Sequence, residues 1–149
     1  MTREQKELLL KDLCARLPYG VKVRSKIPIN QNESKEIVGQ VTSVHYNVGI
    51  VQVGGFDVIV DYNPYFEIKP YLFPLSSMTD EQKNELENME WSFDNSTICN
   101  IIECFGTYKA YVDHSCCSEL IDWFHKNHFD YRGLIPMGLA NDATGLNIY

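Results

Sequence analysis

The chain has 149 residues, 44% hydrophobic and 22% charged, the composition of an ordinary globular protein. That length can bury enough surface to fold without a disulfide or metal staple, and its longest apolar runs, such as Val58-Ile59-Val60, fall far short of a bilayer span. The net charge of −7 is uneven: up to Pro70 nine basic residues face eight acidic ones, and beyond it four face twelve. An acidic second half argues against wrapping nucleic acid, whose binding rests on neutralised phosphates.

The first expected element is a helix. Thr2 and Gln5 have capping-box spacing. Leu9, Leu10, Leu13, Cys14 and Leu17 fall on one helical stripe, and Pro18-Tyr19-Gly20 ends it. Val21 to Ile27 alternates apolar and basic residues with period two, the pattern of a half-buried strand. A polar loop from Asn30 to Lys35 leads into a strand from Glu36 to His45, with Gly39 read as a bulge or bend. After a turn near Asn47, Ile50 to Val53 and Phe56 to Tyr62 form a hairpin around Gly54-Gly55, where both central residues can take positive φ. Phe66 to Lys69 reads as one more short strand. These short antiparallel strands and tight turns suggest an SH3-like barrel.

Pro70 to Leu75 reads as a proline-bracketed connector. A second helix starts at Met78-Thr79-Asp80-Glu81-Gln82-Lys83, nearly repeating the opening of the chain because both are helix starts, and runs to about Glu90. Thr97 to Phe105 and Thr107 to Val112 read as two further strands. Ser115 caps a third helix that reaches about Asn127 with Leu120, Ile121, Trp123 and Phe124 on its apolar side. The tail from Phe129 to Tyr149 holds at most one short helix, after a capping Asp130. The expected fold class is thus α+β: residues 1–70 as a helix plus small barrel, and residues 71–149 as a mixed helix and hairpin segment that is either a second small domain or completes one core.

The start of the chain carries no apolar signal core, so a cytoplasmic setting is expected, with the five cysteines (Cys14, Cys99, Cys104, Cys116 and Cys117) as reduced thiols. His114, Cys116, Cys117, His125 and His128 are metal-ligand types, but their spacing matches no familiar zinc pattern. Cys116 or Cys117 with His114 or His125 could form a nucleophile pair, because a helix start lowers a thiol pKa, yet no third orienting group can be assigned. Carboxylate pairs such as Asp57 with Asp61, or Asp122 with Asp130, are expected by chance in so acidic a chain. No phosphate-binding glycine loop occurs.

Two features point to ligand contact. Period two sets Lys22, Arg24 and Lys26 on one strand face, with Tyr19, Tyr46, Tyr62, Tyr65 and Phe66 as nearby stacking aromatics. Arg132, the only arginine after Arg24, follows Tyr131 in Asp130-Tyr131-Arg132-Gly133; it can clamp a carboxylate or phosphate, or equally bridge an acid within the fold.

Ile68-Lys69-Pro70-Tyr71-Leu72-Phe73-Pro74-Leu75-Ser76-Ser77-Met78-Thr79 and Asn127-His128-Phe129-Asp130-Tyr131-Arg132-Gly133-Leu134-Ile135 carry a family resemblance. Together with the opening helix and its Pro-Tyr-Gly-Val-Lys-Val continuation, the chain resembles an uncharacterised family of small proteins from gut anaerobic bacteria, their mobile elements and phages. The resemblance covers about half the chain. It implies a bacterial or phage origin and carries no catalytic or binding residues with it. The function expected is a non-enzymatic binding or adaptor module. Its partner is a protein or a small ligand rather than nucleic acid or membrane, it needs no cofactor, and oligomerisation is compatible with the role. A phage-type accessory protein that binds a host protein or sequesters a small ligand is one version. The alternatives are a small thiol hydrolase using Cys116 or Cys117, and a weak nucleic-acid-binding barrel.

Overall fold

A computed structural model describes residues 1–29, 33–60, 67–88 and 117–149. The expected strands Thr97 to Phe105 and Thr107 to Val112, and the Ser115 cap, lie outside the described residues.

Helix α1 spans Arg3–Arg16 and opens with the expected capping box: Thr2 Oγ1 accepts from Gln5 N and Gln5 Oε1 accepts from Thr2 N. The same box recurs at Thr79 and Gln82 before α2, Asp80–Asn88. A shared helix start therefore accounts for the near-repeat. A 3₁₀ turn, Leu17–Tyr19, and Gly20 in the left-handed region end the first helical segment.

The strands are β1 (Lys22–Pro28), β2 (Ser34–His45), β3 (Ile50–Val53), β4 (Phe56–Ile59), β5 (Glu67–Leu72) and β6 (Asn141–Asp142). They form a mixed sheet in the order β4-β3-β2-β1-β5-β6, antiparallel except for β5 with β6. This is an α+β fold with an amino-terminal helix and an open sheet, so an SH3-like barrel is not confirmed. The sheet stays open because β5 gives its free edge to β6 and not to β4.

Two local expectations are corrected. The irregularity in β2 lies between Val41 and Ser43, not at Gly39. Gly39 instead makes room for β3, since a Cβ there would meet Val53 Cγ1 at 3.0 Å. Strand β5 runs through Pro70 to Leu72. Proline is tolerated there because β6 pairs only with Tyr71 and Leu72, leaving Pro70, among the described residues, flanked on one side. The tail, expected to hold at most one short helix, forms turns and the short β6, and the Asp130 carboxylate accepts from Leu134 N and Ile135 N.

Period-two burial along β1 to β5 sends Val23, Val41, Val51, Val53, Val58 and Ile68 inward against Leu9, Leu10 and Leu13 of α1. A second cluster joins Met78 and Leu86 to Leu120, Trp123 and Phe124 of α3 (Cys117–Lys126) and to Phe129. A third joins Leu72 to Leu134, Leu139 and Ala140, with Leu8 of α1 packed on it. Helix α1 is therefore covered on two sides, by the sheet and by the tail.

At the β2–β3 turn, Gly49 has φ +67°, and a Cβ would lie 3.0 Å from Lys6 Cε and 3.3 Å from the Val60 carbonyl. At the β3–β4 turn, Gly55 has φ +85° and open space around it. Gly49→Ala is expected to lower the urea-unfolding free energy by more than Gly55→Ala, whose loss is only the left-handed backbone term of about 1–2 kcal/mol. Equal losses would show that the turn packs loosely on α1.

Candidate functional site

The charged candidates separate into an interior cluster and an outer sheet face. The interior cluster is built where α1 meets the tail. Asp12 and Arg16, one helical turn apart, are both completely buried. Arg16 Nε donates to Asp12 Oδ2 at 2.7 Å and Arg16 Nη2 donates to the Phe129 carbonyl at 2.7 Å. Arg132 Nε lies 3.1 Å from Asp12 Oδ1, an ion pair without hydrogen-bond alignment. One carboxylate thus serves two guanidinium groups. Tyr131 lies under both, its ring centroid 4.9 Å from Arg132 and 5.8 Å from Arg16. Its hydroxyl shares a 2.8 Å hydrogen bond with His125 Nε2.

Tyr131 and Arg132, both candidate ligand residues, are therefore joined to Asp12, Arg16 and His125 inside the fold, and Arg132 is only 19% exposed. Sequence reasoning missed Asp12 and Arg16 because both sit off the leucine stripe. The available signal was their i,i+4 spacing.

The two buried histidines face different ways. His128, with φ 57°, stacks on Tyr149 at 3.7 Å, while His125 faces Tyr131 and lies 6.1 Å from the Tyr19 ring. Burial, reinforced by Arg16, pulls the pKa of each down to about 4, so both are neutral at pH 7. Asp130 shows the opposite effect: burial raises its pKa although two backbone N–H groups oppose the shift. Among the described residues no group of three or more His, Cys, Asp or Glu gathers to hold a metal. His114, Cys116 and the side chain of Cys117 lie outside the described residues, as do Asp61, Tyr62, Tyr65 and Phe66 of the other constellations. Cys14 is half-buried, which pushes its thiol pKa up and away from nucleophilic use.

The outer face belongs to β5, β1 and β2. While Val23 and Ser25 point inward, Lys22, Arg24 and Lys26 point outward. Lys22 is committed to the tail: its Nζ donates to the Ile148 carbonyl, and its backbone N–H donates to the Tyr149 hydroxyl, which in turn donates to the Tyr71 carbonyl. Lys26 lies opposite Glu36 on β2 and Glu67 on β5, at 3.8 and 3.1 Å. Arg24 lies opposite Val38 on β2 and Lys69 on β5. Lys69 meets Glu67 at 2.7 Å and, with Lys26, holds its carboxyl below the usual carboxylate range. Arg24 reaches Glu36 and Glu67 only at 3.9 and 4.0 Å, beyond hydrogen-bonding distance. Among the described residues three cations therefore share two carboxylates, with Val38 57% exposed beside them. Lys69 was not among the candidate site residues, because it was read as the end of a short strand.

No family model, curated protein or solved structure matches the chain.

Two outcomes follow from the interior cluster. Asp12→Ala strands two guanidinium groups, and urea unfolding should show a loss of about 3–5 kcal/mol. The Asp12→Leu, Arg16→Met double variant should lose less, and a larger loss would contradict the coupling. The histidines take up protons on unfolding, because their ordinary pKa is 6.5 and their folded value about 4. Stability should be full above pH 6.5 and fall as the pH drops towards 4. His128→Phe should flatten that slope in thermal melts across this window, and an unchanged slope would exclude His128 as a source.

Proposed function

We propose that this protein is a non-enzymatic binding module that docks a protein partner on the outer face of β5, β1 and β2. The observation that carries the reading is the register of Arg24 opposite Lys69. Like charges facing each other across a strand pair destabilise a sheet, so a face that keeps them has a use for them. Exposed Val38 on the other side of Arg24 adds an apolar contact to this charged row. The interior arginines do not compete for the role, because Asp12 and the Phe129 carbonyl hold them.

The finer architecture belongs to the same proposal. Strands β1 to β5 follow the order β5-β1-β2-β3-β4, with β2 shared by two halves that turn at its Val41/Ser43 irregularity, and their inward side chains join one core. That pattern supports a partly opened SH3-like barrel, a scaffold that leaves an outer sheet face free for contact. Among the described residues no helix is long and apolar enough to cross a membrane. Together with the family resemblance, this supports action on a host protein in a bacterial cytoplasm.

The test is photo-crosslinking in the native cells, with benzoyl-phenylalanine at position 38 or, as a control, at the exposed Val48. A discrete protein adduct from position 38 that vanishes with Arg24→Glu is expected. Adducts from position 48 alone, or from 38 regardless of Arg24, would overturn the assignment of the face.

A further inference from the structure

We infer that the segment this face receives is acidic and extended: a stretch of a protein partner whose Asp or Glu carboxylate seats between Arg24 and Lys69, with an apolar neighbour on Val38. The inference rests on the proposed docking face and names the chemistry it selects.

Lys69 and Lys26 already engage Glu67 at 2.7 and 3.1 Å, so that carboxylate is drawn away from Arg24. Glu36 stands 3.8 Å from Lys26 and 3.9 Å from Arg24, a loose contact with both. Arg24 therefore keeps its planar fork of donors 32% exposed and, among the described residues, without an acid inside hydrogen-bonding distance. A carboxylate suits that fork because it accepts two parallel N–H bonds from one guanidinium. Seated there, it also screens Arg24 from Lys69, whose backbone lies one strand spacing away, roughly 4.8 Å.

Val38 argues for a polypeptide over a small anion. An isolated carboxylate or phosphate leaves that side chain in water, whereas the next residues of a chain cover it. An extended segment places alternate side chains on one side, about 6.8 Å apart, close to the one and a half strand spacings, roughly 7.2 Å, that separate the Arg24–Lys69 gap from Val38 on β2. The overall charge separates an acidic peptide from nucleic acid. A chain of net charge −7 repels a long polyanion at distance, and the few cations here neutralise too few phosphates for firm binding. A short acidic segment meets only the local field, where electrostatic complementarity sets specificity.

The experiment uses the full chain and fluorescence anisotropy at low ionic strength. The probe is a fluorescein-labelled peptide of alternating Glu and Leu; its Gln-for-Glu counterpart and decathymidine are the comparisons. Binding of the Glu peptide is expected to be about tenfold or more tighter than that of the Gln peptide, the worth of one charge-assisted bond. Arg24→Ala should remove that difference and Lys69→Gln should reduce it, neither lowering the thermal melt. Equal affinity for the two peptides, no binding of either, or no effect of Arg24→Ala would overturn the acidic assignment. Tighter Arg24-dependent binding of decathymidine would overturn it in favour of nucleic acid. If peptide binding fails while the Arg24-dependent crosslink at position 38 persists, only the chemistry of the segment is wrong. Failure of both removes the docking face itself.

Discussion

Asp12 holds the molecule together at its least obvious point. Its carboxylate is buried on α1 between Arg16 of the same helix and Arg132 of the tail. Removing these charges from water is expensive, and the arrangement persists only because each group finds a partner of opposite sign. Arg16 extends the link by donating to the Phe129 carbonyl, next to the isolated bridge of Phe73 with Phe129. The ion cluster thereby fixes where the tail crosses α1, and from there the chain can reach β5 and add β6. The third apolar cluster, in which Leu8 meets Leu72 and Leu134, packs beside the same crossing.

This crossing shapes the candidate surface as well. With the tail bound to the start of β1 through Lys22, the free part of the outer face among the described residues narrows to Arg24, Lys26, Lys69, their two acids and Val38. The inward side of the same strands carries valines packed on α1, so the row of cations stands on a rigid support. Preorganised side chains on a sheet lose little freedom on binding, which favours recognition by a few groups.

Local features were legible in the sequence wherever neighbours in the chain decide the conformation. Thr2 with Gln5 and Thr79 with Gln82 close capping boxes over four residues. Gly54 and Gly55 make a hairpin because only their own φ angles are at stake. The alternation of Val21 to Ile27 announces an inside and an outside without any knowledge of the neighbours. Features that depend on distant partners were not legible in this way. Pro70 looked like a stop, yet the strand continues through it, since β6 begins its pairing only at Tyr71. Asp12 and Arg16 did not stand out, because nothing near them in the chain shows that the tail covers that side.

By itself, the sequence determined the helix starts, the hairpin, the strand alternation and the basic row of β1, since each follows from torsional preference and short-range hydrogen bonding. Tertiary structure alone decided which charges face one another. It turned Arg132 from an isolated cation into the partner of Asp12, and it set Lys69 across from Arg24. Ion pairing depends on distances of a few ångströms between residues far apart in the chain, and those distances exist only after the core has packed.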